Sequence, residues 1–303
     1  MWRNTRKSVR CKKLKTILEL QNIAKQYKGK KVLEKTSFLV CANQIVALVG
    51  KNGSGKSTLL KIIAGLENPD SGEIIKHIHP LKIGYVPEVT PYEIPFTPIE
   101  YLTHMGNVRG MDKNELKNRI EILLDIFHLQ DVRMTRITEF SKGMKQKVII
   151  MQAILEKANL LILDEPLSGL DPKTKSELEG ILLALKDSGL SILLTCHETK
   201  VLERLVDRVL LIKEHHVIQS NVLCEISDPM DKVIFEISMH QLSGELLTLI
   251  KIQQEKHLTS EVKEVMAIVK RENTDTVLLE LLKRGASIKK LSPINLVELE
   301  FYN

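Results

Sequence analysis

The stretch that decides the fold is residues 45–66, IVALVGKNGSGKSTLLKIIAGL, where an apolar run breaks into a glycine-rich turn and resumes as an apolar helix begun by a lysine. Gly50, Gly55, Lys56 and Ser57 meet the spacing G-x-x-x-x-G-K-[ST]. The flanks supply the context this spacing needs, with β-branched Ile45, Val46 and Val49 before it and apolar residues at helical intervals after it. Glycines at 50, 53 and 55 let the backbone turn with its N–H groups inward, and the new helix adds its unpaired N-terminal donors to the same anion pocket. Gly50, Lys51, Asn52, Gly53, Ser54, Gly55, Lys56, Ser57 and Thr58 are therefore candidates for holding a nucleoside triphosphate. Lys56 would set its ammonium against the β and γ phosphates, Ser57 would offer its hydroxyl to Mg²⁺, and Thr58 adds one more donor.

Downstream, LLILDEP (160–166) is a continuous apolar run and reads as a fully buried parallel strand. It delivers Asp164 and Glu165 at its carboxyl end, where open α/β sheets place their ligands. Asp164 suits a hydrated Mg²⁺, and Glu165 suits a water to be activated for in-line attack on the γ phosphate. LSILLTCHE (190–198) reads as a second buried strand, ending in His197 beside the lysine loop and the acids, so His197 is a candidate contact to the γ phosphate. Ser141 and Gly143 in FSKGMKQ (140–146) open a helix. They read either as an ordinary N-cap or as a second anion site at a helix N-terminus. SGLD (168–171) is a tight turn ending in Asp171, followed by an amphipathic helix over 173–186. Tyr27 lies between two short strands within 17–40 and either stacks on a base or packs on its strand; spacing does not choose.

The ordered set GKNGSGKS, FSKGMKQ, LLILDEP, SGLD and His197 resembles the nucleotide-binding subunit of ATP-binding cassette (ABC) transporters over roughly residues 17–220. The resemblance implies a P-loop α/β core: a mixed sheet with helices on both faces, an antiparallel β subdomain, and a helical subdomain inserted at about 90–158. It implies ATP and Mg²⁺ as cofactors, ATP hydrolysis, and two such domains facing head to tail with each ATP between the phosphate loop of one and the signature of the other. FSKGMKQ resembles that signature, with Lys142 at the first glycine position, and the resemblance implies that Ser141, Lys142, Gly143 and Gln146 act across the dimer. By the same resemblance Tyr27 stacks on adenine, Asp171 belongs to the subunit-crossing D-loop and His197 is the switch histidine. Glu88, in YVPEV, stands where the family usually has a glutamine that senses Mg²⁺. It adds a negative charge beside Asp164 and Glu165, which bears on metal affinity and on coupling. The pattern resembles the branch whose permeases are separate chains and which exports antibiotics, peptides or lipids, or effluxes ions.

Composition sets the remaining bounds. The chain has 303 residues, 43% of them hydrophobic but only 4% aromatic, as expected where Leu, Ile and Val fill buried parallel strands. No apolar run approaches ~18 residues, so any membrane role is peripheral; the resemblance implies a place on the cytoplasmic face beside an integral-membrane permease. The net charge is +6, yet Arg3, Arg6, Lys7, Arg10, Lys12, Lys13 and Lys15 all fall in residues 1–16, so the body is near neutral and no nucleic acid is expected as a partner. That tail reads as a solvated, disordered extension or an upstream start, as a segment lying on anionic lipid, or as a transit peptide. Four cysteines without a C-x-x-C spacing fit a reduced compartment, and the histidines at 77, 79, 215 and 216 read as surface residues. Residues 221–303 form a small α+β accessory domain, with a strand at 232–239, a helix at 274–285, a strand in ASIKKL and a last helix in PINLVELEFYN. Dimer support or regulation is its expected role. Two other readings are a soluble cassette ATPase acting on ribosomes or nucleic acid, and an ATP-dependent sensor or immunity module with little turnover.

Overall fold

The computed structural model describes residues 15–89, 93–196, 198–220, 230–238, 241–242, 246–259 and 261–294. The chain divides into two compact units, residues 1–220 and 221–303. The basic tail up to residue 14, His197 and residues 295–303 of the expected last helix lie outside the described residues.

The centre of the first unit is a six-stranded sheet in the order β5-β6-β7-β3-β8-β9. Its strands are β3 (Ile45–Gly50), β5 (Ile83–Val86), β6 (Leu160–Leu163), β7 (Ser191–Thr195), β8 (Arg208–Lys213) and β9 (His216–Ser220). The first five run parallel and β9 returns antiparallel on β8. Every residue of β3, β6 and β7 is buried, which is why these segments read as unbroken aliphatic runs. The sheet order puts β7 beside β3 and β6 next after β7, so the ends of SILLT and LLIL open on the same edge as the glycine-rich turn.

A separate three-stranded antiparallel sheet, β2-β1-β4, is built from β1 (Thr16–Tyr27), β2 (Lys30–Cys41) and β4 (Ser71–Lys76). The two expected short strands are each twelve residues long. β1 stays paired along that length by bulging, with Asn22 at φ 52° where its register to both neighbours shifts. Ser71 and Gly72 begin β4; only glycine fits at 72, where a Cβ would come within 2.5 Å of the Gln21 and Asn22 carbonyls. β1, β2 and β3 share one core with α1 (Lys56–Ile63), through Leu18, Leu20, Phe38, Leu48, Leu59 and Leu60.

The helical subdomain expected at about 90–158 begins with two helices, α2 (Pro98–Val108) and α3 (Lys113–Ile126). Gly110 separates them at φ 72°, and Thr97 and Asp112 each cap the helix that follows. Next come α4 (Lys142–Ala153), α5 (Pro172–Asp187) and α6 (Thr199–Leu205). Two arginines grip the carboxyl end of α4. Arg109 donates to the Gln152 carbonyl at 3.0 Å, and Arg119 donates to those of Ile154 at 2.9 Å and Leu155 at 3.3 Å. These carbonyls lie at and just past the helix end, where acceptors outnumber donors and a cation opposes the negative pole of the helix.

The second unit is a four-stranded antiparallel sheet, β11-β12-β10-β13. In chain order it runs β10 (Met230–Ser238), α7 (Leu246–Leu249), β11 (Ile250–His257), β12 (Val262–Lys270), α8 (Arg271–Lys283) and β13 (Ser287–Ile294). This is a β-α-β-β-α-β arrangement of the ferredoxin-like kind. Val233, Phe235, Val265, Ala267, Val277 and Leu281 fill its core. Pro293 and Ile294, expected in the last helix, extend β13 instead, as an edge strand tolerates a proline.

Candidate nucleotide site

The glycine-rich turn closes β3 and opens α1. Gly50 is required by close packing: a Cβ there would lie 2.7 Å from Ser54 Oγ and 2.9 Å from the Ile212 carbonyl of β8. Gly55 is required by its φ of 102°, and it serves as the N-cap of α1 with no side-chain cap. No acidic residue occupies the first turn, so the N–H donors of Lys56, Ser57 and Thr58 face outward with no carboxylate competing for them. Lys51, Asn52 and Gly53 are exposed, and the space around Gly53 is open. This is a cradle whose donor set fits a triphosphate.

Lys56 is 7% exposed, and its Nζ donates to the carbonyls of Gly50 at 2.9 Å and Lys51 at 3.2 Å. Burial holds its ammonium below the usual lysine range, opposed by the nearby charges of Glu165, Asp164 and Glu88. The ammonium therefore lies within the field of all three acids. Asp164 is 3% exposed and receives the Thr195 hydroxyl at 2.8 Å, while Thr195 Oγ1 accepts the backbone N–H of Glu165 at 2.6 Å. Glu165 is half-buried with its backbone at φ 50°. Burial pushes its carboxyl above the ordinary carboxylate range; Lys56 pulls the other way, and Asp164 and Glu88 reinforce the rise. A carboxylate made more basic in this way is suited to take a proton from water. Glu88 is exposed just past β5 and completes the acidic rim. Ser57, Asp164 and Glu88 offer only oxygen, the donor set a Mg²⁺ ion prefers.

Tyr27 ends β1 with its ring 44% exposed. Its hydroxyl donates to Glu67, and Lys25 Nζ lies 5.5 Å from the ring centroid; the Thr58 hydroxyl lies close enough to favour the ionised phenol. Lys25 is itself fixed by Asp70 at 3.1 Å and Glu67 at 3.4 Å. The structure thus brings an accessible aromatic face to the first turn of α1.

Ser141 is the N-cap of α4, accepting the Met144 N–H, which fits the cap reading of this residue. A hydroxyl that accepts one bond retains its proton to donate, so the cap does not exhaust it. Gly143 packs against α5, where a Cβ would meet Thr174 Cγ2 at 2.2 Å, and Gln146 is 7% exposed. Lys142 reaches the Ser168 carbonyl at 2.7 Å. Asp171 caps α5 through the N–H groups of Lys173 and Thr174. Hydrogen bonds from Thr174 and Lys173 hold its carboxyl below the usual range.

Sequence reasoning missed Thr195, Glu67 and the reach of Lys142. Thr195 carried a usable signal, as a hydroxyl at the end of an otherwise aliphatic strand. Glu67 carried none, because its bond to Tyr27 spans forty positions.

A sequence-family model described as ABC transporter matches residues 33–168. An uncharacterized ABC transporter ATP-binding protein of Methanocaldococcus jannaschii is 35% identical over 201 residues, spanning 66% of this chain and 76% of that protein. The Nod factor export ATP-binding protein I of Sinorhizobium fredii is 31% identical over 241 residues, 74% of this chain and 70% of its own length. Among solved structures, an ATP-binding subunit of an ABC transporter aligns at TM-score 0.59 and 34% identity, over 68% of this chain and 90% of that one. A nucleotide-free ATP-binding cassette, at 22% identity and TM-score 0.62, has the same fold.

Proposed function

Because the chain belongs to the family of ABC transporter ATP-binding proteins, and is by that membership an ATP-hydrolysing transporter subunit, we propose that it drives export through a separate permease, working as a pair of identical copies. The observation that carries the catalytic part is the convergence of Lys56, Asp164 and Glu165 past the carboxyl ends of two parallel strands of one sheet, β3 and β6, with β7 between them. Lys56 and the N–H groups of residues 50–58 hold the phosphates. Ser57, Asp164 and Glu88 would hold Mg²⁺, which supplies charge neutralisation to the phosphate oxygens when bound. Glu165 takes the proton of the attacking water, and the Thr195 bridge fixes its backbone for that step. Tyr27 offers its face to the base, with Glu67 holding its hydroxyl. Ser141, Gly143 and Gln146 face the triphosphate of the second copy, His197 contacts its own γ phosphate, and Asp171 lies at the crossing between copies.

Export is supported by the Nod factor export relatives, whose names state that activity for themselves. No helix among the described residues is long and apolar enough to cross a membrane. The second unit, outside the matched family segment, serves the dimer or its regulation. Affinity purification of the tagged protein from detergent-solubilised membranes tests the proposal. A co-purifying multi-span protein with Mg²⁺-dependent ATPase activity is the expected result. Recovery of ribosomes, or of no membrane protein, overturns it.

A further inference from the structure

Lys142 begins α4, yet it bonds toward the catalytic end of its own chain. Its Nζ donates to the Ser168 carbonyl at 2.7 Å, and Ser168 N donates to the Glu165 carbonyl at 3.1 Å. Glu165 N donates to Thr195 Oγ1 at 2.6 Å, and Thr195 Oγ1 to Asp164 at 2.8 Å. Consecutive hydrogen bonds thus run from the start of α4 to both acids. Gly169 lets the ammonium in: its φ is 66°, and a Cβ there would fall 2.6 Å from Lys142 Nζ. Further along, α4 is held to α5, the helix that follows the turn, by Lys147 and Glu177 at 2.7 Å and by Gly143 packed on Thr174. Glu165, at φ 50°, has a backbone that needs its surroundings to hold it, and the turn at 165–168 is that surrounding.

We propose that Lys142 is a positioning residue for Glu165 of its own chain, holding the 165–169 turn so that the carboxylate is presented at the strand end. This rests on the proposed function, in which the start of α4 meets the triphosphate held by the second copy. Whatever binds at Ser141 and Gly143 then acts through Lys142 on the glutamate of the other site. On that reading, removing the Lys142 ammonium uncouples the two sites.

The test uses the purified full-length chain and its Lys142→Ala, Lys142→Arg and Gly169→Ala variants, with Lys142→Ala also made in a Glu165→Gln background. ATPase rate against ATP concentration gives kcat, KM and the Hill coefficient; light scattering gives ATP-dependent dimerisation. Lys142→Ala should lower kcat by about tenfold or more, flatten the cooperativity and leave KM unchanged. Lys142→Arg should restore most of the rate, and Gly169→Ala should reproduce the loss. Lys142→Ala/Glu165→Gln should dimerise with ATP as Glu165→Gln does. Unchanged kcat and cooperativity in Lys142→Ala overturn the proposal. So does a double variant that no longer dimerises, which would make Lys142 a direct phosphate contact. Should Glu165→Gln alone fail to dimerise, the two-copy reading falls and the coupling between sites with it, while the kcat comparison still decides the positioning of Glu165 within one chain.

Discussion

Replacing Thr195 by valine keeps the shape of a fully buried side chain and removes its oxygen. Two bonds disappear: the donation to the Asp164 carboxylate at 2.8 Å and the acceptance of the Glu165 N–H at 2.6 Å. A bond to a charged acceptor is worth about 1.5–3 kcal/mol and a neutral one about 0.5–1.5 kcal/mol, so the loss is about 2–4 kcal/mol. Valine offers neither orphan a partner, so the apolar swap gains nothing back. For a unit of this size each kcal/mol lowers the thermal midpoint by about 2–4 °C, which gives a fall of roughly 5–15 °C in the first unit's transition. Turnover should fall further than stability implies, because a displacement of Glu165 by ~1 Å costs on the order of a hundredfold in rate. Differential scanning calorimetry and steady-state ATPase measurements read the two effects separately. Thr195→Ser, which keeps the oxygen, should recover most of both. A Thr195→Val protein with unaltered midpoint and turnover would refute the bridging role.

The remaining expectations concern charge and packing. Lys56→Ala should abolish binding of a fluorescent ATP analogue while leaving the fold intact by circular dichroism, since Lys56 is the buried cation of the cradle. Glu165→Gln should be more heat-stable than the parent at neutral pH. A carboxyl raised in the folded state is bound to its proton more tightly there than in the unfolded chain, so stability declines as pH rises from the ordinary value of 4.5 through the raised one. The advantage of the glutamine should vanish as pH drops below that window, and a stability difference independent of pH would contradict it. Leu281→Ala, in the core of the second unit, should cost about 2–5 kcal/mol there and leave the first unit's thermal transition in place.

The core of the first unit was legible because its strands are buried on both faces, and segments such as LLIL carry no other plausible reading. The cradle was legible because glycine spacing reports backbone conformation directly, as Gly55 at φ 102° illustrates. The second unit was harder. β11, KIQQEKH after its first isoleucine, is an edge strand whose residues are largely exposed, so its composition resembles a loop. β12 loses its alternation because Val265, Met266, Ala267, Ile268 and Val269 are all buried, so neither period is visible. The links that organise the candidate site lie beyond any local pattern. Lys142 to Ser168 and Thr195 to Asp164 join positions 26 and 31 residues apart, and only the folded backbone brings them together.

The paired arginines at the far end of α4 have a mechanical consequence. A helix of twelve residues is about 18 Å long, and Arg109 and Arg119 fasten its carboxyl end as a hinge pin fastens a bar. With that end pinned, a push of ~1 Å at Ser141 becomes a tilt of roughly 3° about the pin, by the same length. Both arginines belong to the segment that carries α2 and α3, so the tilt is passed to those helices as a torque rather than lost in sliding. The Ser141 end, bonded to the 165–169 turn through Lys142, is the gauge, and the pinned end is where its reading leaves the nucleotide-binding core.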